Sequence, residues 1–379
     1  MKRFVRIFLL VLPIYLATIG GAYLVEDYLL QEPVQPRPIE QSITDPKPEP
    51  IPEILNEEQA VETIAATDLK EWLYEIASDA YEGRGPGQPG YEKSVLFIQD
   101  KCKEWGLKVV RQEFDVRGEP TWNLIAWIEG TDPAKKDEII VVGAHLDHLG
   151  KRRNSIYNGA DDNGSGSVGV MSIAKAFSKM GPQPRTIVFQ WYSAEEMGLV
   201  GSRYYCDNPM FPEANPNIRS HIAMINLDMV GRMDSGMYRT RWHTRTSSID
   251  LGHYVQELSR TYPFARRITT HGAGGSDHAS FYNKRIPVAF LHTGTHSDYH
   301  RTTDDPDKIN YEGMEKIVRY AFQLACKVEN ADQAPKFNFK TFVPMLYVND
   351  HGHPNILRQT VTTSRRSGCA SCVRPRIRR

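Results

Sequence analysis

Residues 141–164, VVGAHLDHLGKRRNSIYNGADDNG, decide how the rest of the chain is interpreted. A short apolar segment, residues 139–144, runs directly into His145, and Asp147 follows two residues later. Ligands of α/β folds gather at the carboxyl edge of the sheet, so this strand is expected to bring an imidazole to that edge. The carboxylate of Asp147 is expected to accept the other ring N–H and orient His145. The alternative for GADDNG is a loop whose residues simply turn well.

Three later apolar segments are also followed by His, Asp or Glu residues. They are residues 185–192, 221–227 and 286–291. The side chains that follow them are Glu195 and Glu196, then Asp228, then His296, Asp298, Tyr299 and His300. Imidazoles and carboxylates converging on one sheet edge would repel one another unless cations lay among them. Mixed His and carboxylate ligands suit zinc better than manganese or cobalt. A solvated acidic pair at a helix start is the alternative for Glu195 and Glu196. It does not explain why the other strands end in His and Asp.

Five motifs in this order resemble those of the co-catalytic di-zinc aminopeptidases: HLDHLG, GADDNGSG, SAEEMGLVGS, NLDMVGR and SDYHRTTDD. That family includes secreted bacterial leucyl-type aminopeptidases, and glutaminyl cyclases and glutamate carboxypeptidases are its relatives. The match covers roughly residues 77–328. The resemblance implies two zinc ions per chain bridged by Asp162. The resemblance also implies that His145 and Asp228 bind one ion and that Glu196 and His300 bind the second. It further implies that Glu195 is the general base and that the Asp147 carboxylate orients His145.

The resemblance implies a zinc-dependent exopeptidase acting on a peptide or aminoacyl substrate. An aminopeptidase is favoured, with a metal-activated water and Glu195 as the general base. A glutaminyl cyclase is one alternative, but those relatives work with one zinc and lack the context of GADDNGSG. A carboxypeptidase of the same fold is another. A non-catalytic binding domain is the third, although all five ligands and the base are present here.

The remaining histidines are interpreted as surface or core residues, and His148 is one of these. His296 is the main rival for the last ligand because it lies four residues before His300. The family pattern places the ligand before a Thr-Thr-Asp sequence, which favours His300. Ser276-Asp277-His278 resembles a family motif near the pocket and is interpreted as lining it.

The composition bounds the function. The 379 residues are 40% hydrophobic, with 46 basic and 46 acidic side chains, which is ordinary for a globular protein with a large core. Zero net charge argues against a nucleic-acid partner. Five cysteines imply no disulfide scaffold, and Cys102 and Cys326 are expected in the core. The oligomeric state does not follow from the sequence.

Four segments are predicted along the chain. Residues 1–31 are interpreted as a signal anchor or signal peptide, because an uncharged apolar run at 7–25 follows basic residues. The anchor is favoured, with the domain outside the cytoplasm, and cleavage would give a secreted enzyme. Residues 32–55 are interpreted as a Pro-rich stalk, 56–332 as the di-zinc peptidase domain, and 333–379 as a basic tail. Strands and helices alternate, which predicts an α/β three-layer sandwich with a central mixed sheet flanked by helices. The family resemblance implies about eight strands.

Overall fold

A computed structural model describes residues 54–233, 239–241, 247–266 and 275–338. Its strands are β1 (Lys108–Val116), β2 (Glu119–Ile128), β3 (Ile139–His145), β4 (Gly150–Arg152), β5 (Ser155–Tyr157), β6 (Thr186–Tyr192), β7 (His221–Leu227), β8 (Arg239–Arg241) and β9 (Val288–His292). Within these residues, seven strands form one sheet in the order β1-β2-β6-β3-β7-β9-β8, and β4 and β5 form a separate hairpin.

The four central strands of the sheet are parallel. β3 pairs with β6 on one side and β7 on the other, and β7 pairs with β9. β1, β2 and β8 extend this core through antiparallel pairs. Because the chain passes from β3 to β6 on one side and later returns to β7 on the other, the carboxyl end of β3 is a topological switch point. Open α/β sheets bind their ligands in the crevice at such a point.

Helices cover both faces of the sheet. They are α1 (Glu57–Glu62), α2 (Ala66–Ile76), α3 (Pro89–Glu104), α4 (Gly166–Ser178), α5 (Val200–Asp207), α6 (Ile249–Leu258), α7 (His278–Asn283) and α8 (Tyr311–Glu329). Successive residues of a strand point to opposite faces, so β3 contributes to two hydrophobic cores. Val142 packs with residues of α2, α3, α4 and α8, whereas Val141 packs with residues of α5 and α7. The predicted three-layer sandwich with a mixed central sheet is confirmed.

The predicted elements agree with the observed ones to within a few residues. Residues 139–144 and 221–227 were expected as strands and correspond to β3 and β7. The apolar and small residues after GADDN form α4, and the long apolar stripe near the end of the domain forms α8. Cys102 and Cys326 are buried in the core, as expected.

Some predictions fall outside the described residues. The apolar run at 7–25, the Pro-rich segment up to residue 53, and the tail from residue 339 with its CxxC sequence are among them. In the part of the chain that is described, none of the helices has the length and apolar character needed to span a bilayer. Residues 333–338 pack against the domain: Lys336 N–H donates to the Asp250 carboxylate, and Phe337 contacts Tyr282.

Candidate metal centre

The predicted site residues meet at the carboxyl edge of the parallel strands. His145 is the last residue of β3, Glu195 and Glu196 follow β6, and Asp228 follows β7. Asp162 lies in the turn Ala160–Ser165, and His300 lies in the loop after β9. Most of these side chains are buried, while the His300 side chain is 37% exposed. Strand ends at one edge therefore bring together residues that are far apart in sequence.

Three ligand atoms surround a first position. His145 Nε2 lies 3.5 Å from Asp162 Oδ1 and 3.6 Å from Asp228 Oδ1. Ligand atoms of one tetrahedral zinc ion, each about 2.0–2.2 Å from the metal, are about 3.4 Å apart. On the other side of the ring, Nδ1 lies 3.0 Å from the backbone oxygen of Asp147. Donation to that oxygen leaves the Nε2 lone pair facing the carboxylates, as a metal ligand requires.

Three more atoms surround a second position. His300 Nε2 lies 3.1 Å from both Asp162 Oδ2 and Glu196 Oε2. Asp162 thus faces the first position with Oδ1 and the second with Oδ2. The rival His296 is held elsewhere, because its Nε2 lies 3.1 Å from Asp161 Oδ2. Of the two candidates, the structure brings only His300 to this position.

The backbone around Asp162 is fixed by neighbouring side chains. Asp304 Oδ2 accepts the N–H groups of Asp161 and Asp162, each at 3.0 Å. Asn163 donates to the carbonyl of Leu227 at the end of β7 and accepts the N–H of Met229. These contacts tie the turn to the end of β7 and to the loop that carries His300. The Asp162 carboxylate therefore lies on a turn that is held by hydrogen bonds from two other segments.

Asp147 does not orient His145 in the expected way. Its nearest carboxylate oxygen lies 3.9 Å from His145 Nδ1, beyond hydrogen-bond distance. The carboxylate instead accepts the backbone N–H groups of Glu195 at 3.0 Å and Glu196 at 3.4 Å. Asp147 thus orients His145 with its backbone oxygen and holds the acidic loop with its side chain. An HxD spacing alone does not say which oxygen of the aspartate turns toward the ring.

Two residues were not expected at this edge. His148 is buried, and its Nδ1 lies 2.8 Å from Glu196 Oε1. Arg84 is fully buried, and its guanidinium donates to four backbone carbonyls, including those of Leu146 and Gly159 beside the metal loops. The sequence signals were weak: a histidine three residues after His145, and one basic residue within EGRGPG. The structure places Arg84 inside the domain.

Burial of these carboxylates shifts their pKa values. Burial raises the pKa of Asp147 and of Asp277 to about 7. Burial also raises the pKa of Glu195 well above its ordinary value, and the neighbouring Asp277 and Glu196 add to the rise. Burial opposes ionisation of Glu196 as well, but the imidazoles of His148 and His300 hold its pKa well below its ordinary value. Cations placed among these groups would favour their ionised forms.

The residues present fit a pair of zinc ions. Asp162 Oδ2 and His300 Nε2 are 3.1 Å apart without hydrogen-bond geometry, and neither has a hydrogen-bond partner among the described residues. Buried polar atoms seldom lack partners, whereas atoms that face a common ion have this arrangement. Imidazole and carboxylate donors are the set that zinc takes in catalytic sites. Glu195 Oε2 lies 4.0 Å from His145 Nε2, beside the first position.

A cavity of about 240 Å³ opens onto these groups. Its lining includes the site residues His145, Asp162, Glu195, Glu196 and Asp228. The side chains of Met229, Phe290 and Tyr299 add apolar surface. Asp277, from the Ser276-Asp277-His278 sequence, is buried close enough to Glu195 to influence its ionisation, but it is not part of the lining.

Two curated proteins match this chain in sequence. Leupeptin-inactivating enzyme 1 of Streptomyces exfoliatus is 35% identical over 239 residues, which are 62% of this chain and 50% of that protein. A probable leucine aminopeptidase of Arthroderma otae is 31% identical over 210 residues, or 51% of this chain and 56% of that protein. The chain thus spans about half the length of the curated relatives it matches.

Solved structures share the fold. The aminopeptidase LapA of Legionella pneumophila superposes with a TM-score of 0.62 at 26% identity, covering 76% of this chain and 79% of that chain. A zinc aminopeptidase from Bacillus subtilis gives 0.61 at 16% identity, with 74% and 99% covered, and shows the fold alone. A family model described as peptidase family M28 matches residues 123–325, more than half of the chain. The chain belongs to peptidase family M28.

Proposed function

We propose that this protein is a zinc aminopeptidase that holds two zinc ions per chain. One observation carries the proposal: the two oxygens of Asp162 face different imidazoles, 3.5 Å from His145 Nε2 and 3.1 Å from His300 Nε2. A carboxylate in that position would be shared by two ions. Asp228 would complete the first site and Glu196 the second. When bound, the ions would polarise the scissile carbonyl and lower the pKa of the attacking water.

Glu195 would act as the general base. It follows a ligand-bearing strand but points its Oε2 to within 4.0 Å of the first site instead of entering either group of ligand atoms. It would take the proton of the attacking water and pass it to the leaving amine. The Asp147 carboxylate supports this role because it holds the backbone N–H of Glu195 at 3.0 Å.

The pocket supports a substrate with an apolar first residue. Met229, Phe290 and Tyr299 contribute apolar and aromatic surface to the cavity that opens onto the metal positions. Most of the cavity lining is polar, so an apolar first side chain would lie against these three residues, and the substrate's free α-amine would lie near the carboxylates. The names of the leucine aminopeptidase relatives are consistent with such a substrate.

We also propose that the catalytic domain is displayed outside the cytoplasm. The support is the sequence at residues 1–31, where basic residues precede the uncharged run at 7–25. We expect the full chain to fractionate with membranes and a chain beginning near Asn56 to be soluble. A mature N-terminus near Ala22 would show a cleaved signal peptide and a secreted enzyme.

The test of the activity combines metal analysis with a panel of substrates. We expect two zinc ions per purified chain and hydrolysis of aminoacyl amides, fastest for apolar residues. Blocking the α-amine by acetylation should abolish hydrolysis, which separates an aminopeptidase from a carboxypeptidase. Cyclisation of glutaminyl peptides without hydrolysis would indicate a cyclase, and absence of bound metal and turnover would indicate a binding domain.

A further inference from the structure

His148 is a buried imidazole that the proposed reaction leaves without a role. It is 1% exposed, and its Nδ1 lies 2.8 Å from Glu196 Oε1 with hydrogen-bond geometry. The other oxygen of Glu196, Oε2, faces His300 at 3.1 Å. The two oxygens of one carboxylate are therefore divided between two imidazoles. Only one of them belongs to the proposed ligand set.

The distances distinguish a ligand from a hydrogen-bond donor. Ligand atoms of one tetrahedral zinc ion are about 3.4 Å apart, whereas a hydrogen bond to a carboxylate measures about 2.7–2.9 Å. The 2.8 Å contact from His148 Nδ1 to Glu196 Oε1 has the length of a hydrogen bond to a carboxylate. Its distance of 3.7 Å to Asp162 Oδ2 would allow His148, Asp162 and Glu196 to share one ion, but the hydrogen-bond geometry toward Glu196 favours donation. His148 therefore donates a hydrogen bond to the proposed ligand Glu196 and does not itself bind the ion.

The surrounding chain is built to hold this ring. Gly159 lies against it, and a Cβ at that position would be 2.4 Å from His148 Cγ. The backbone N–H of His148 donates to the carbonyl of Arg84 at 3.3 Å. Nε2 of the ring has no hydrogen-bond partner among the described residues. Because an ionised carboxylate only accepts hydrogen bonds, Nδ1 is the ring nitrogen that donates to Glu196.

We propose that His148 is a positioning residue that holds Glu196 Oε1 away from the second zinc ion, so that only Oε2 binds it. A carboxylate held in this way takes one coordination position instead of two. The freed position is where a substrate group or water would enter, since catalytic zinc sites keep such a position open. This inference rests on the proposed function, because it assigns a role toward the second zinc ion.

Substitution by two amides tests the proposal in the full chain. Asn places its side-chain N–H near the position of Nδ1, whereas Gln reaches toward that of Nε2. Zinc affinity is measured for each site by competition with a chromophoric chelator. We expect His148→Asn to stay within about threefold of the wild type. We expect His148→Gln and His148→Ala to weaken the second site by about 10–100-fold, the usual effect of losing a partner behind a ligand. The first site should change little in all three.

Each outcome decides the matter. Equal loss in the Asn and Gln variants would make His148 a direct ligand, and wild-type affinity in the Gln and Ala variants would leave it without a role at the metal. The exposed His253 gives the control variant, His253→Ala, in which neither affinity should change. If the wild type itself bound no second zinc ion, the proposed function would fail first. Because zinc affinity is measured without substrate, failure of the His148 proposal can be distinguished from failure of the proposed function. If His148→Ala does not fold, the Asn and Gln pair still gives the answer.

Discussion

The two ends of the parallel strands both bury charge, but they balance it differently. At the amino end, Arg185 precedes β6 and is fully buried. Its Nε donates to the carboxylate of Glu138, and its Nη1 donates to backbone carbonyls in and just after the last turn of α8, although Nη2 has no partner among the described residues. At the carboxyl end, five carboxylates gather around three imidazoles. They are Asp147, Asp162, Glu195, Glu196 and Asp228.

The difference separates a structural cluster from a binding site. Buried charge is costly unless it is paired and hydrogen-bonded. Acceptors within the chain bind most of the N–H groups of the Arg185 guanidinium, so the amino end of the strands requires no ion from solution. The carboxyl end has an excess of negative charge and partnerless atoms such as Asp162 Oδ2. We therefore expect that end to depend on metal ions and the Arg185 end not to.

Removal of metal should have the largest effect. Dialysis against a strong chelator should abolish hydrolysis and lower the thermal midpoint, because ions that bind only the native state stabilise it, by about 4 kcal/mol for a site at a thousandfold excess over Kd. Zinc should restore both activity and midpoint. The measurements are turnover and calorimetry on protein whose metal content is known. Full activity in the metal-free protein would overturn the proposed function.

Two adjacent glutamates should differ in their effects. Glu195→Gln keeps the size of the side chain but cannot accept a proton, so it should retain both metal ions and lose about 10²–10⁴-fold in kcat. KM should change little because the loss falls in the transition state. Glu196→Gln should release zinc from the second site and regain activity at high zinc. Metal content and kinetics of both variants decide this, and the opposite pattern would reverse the two assignments.

Loss of Arg185 should destabilise the fold without touching the metals. Arg185→Met leaves several buried carbonyls and the partly exposed Glu138 without their donor, and we expect a loss of about 1–3 kcal/mol in the free energy of unfolding. Urea unfolding should show the same loss with and without zinc, and kcat of the folded fraction should stay near the wild-type value. Lys284→Met, which breaks an exposed ion pair with Asp207, is the control and should cost less than about 1 kcal/mol. A zinc-dependent loss in Arg185→Met would contradict the comparison.

His221, at the start of β7, should give an effect that is absent near neutral pH and grows as the pH falls. Burial lowers the pKa of His221 to about 4, while an unfolded histidine titrates near about 6.5. Between these values the unfolded chain binds a proton that the folded chain does not. The free energy of unfolding should therefore fall as pH falls from about 6.5 to 4, by up to about 1.4 kcal/mol per pH unit.

The non-titrating variant His221→Gln isolates this contribution. Urea unfolding of chelated protein between pH 4 and 7 should show a shallower pH slope in the variant than in the wild type. Chelation keeps zinc release out of the measurement. Equal slopes would show that His221 is protonated in the folded protein, despite its contact with the Tyr205 hydroxyl at 2.7 Å.

The sequence by itself determined most of the fold and the meeting place of the site. Apolar runs with strand length, each ending in His, Asp or Glu, imply parallel strands whose carboxyl ends lie together. His145, Glu196 and Asp228 could be predicted there because strand ends leave little freedom. Asp162 and His300 lie on loops among other polar residues, and the resemblance of GADDNGSG and SDYHRTTDD to family motifs was needed to select them, as in the choice of His300 over His296.

The tertiary structure decided which atom of each residue makes each contact at the site. The Asp147 carboxylate turns to the backbone of Glu195, and its backbone oxygen turns to His145, a choice set by how two loops pack. His148 enters the site because Gly159, eleven residues later in the chain, leaves room for its ring. Arg84 is buried because carbonyls from three separate segments converge on it. Local patterns do not encode such contacts, since they depend on the distance between segments that only the folded chain brings together.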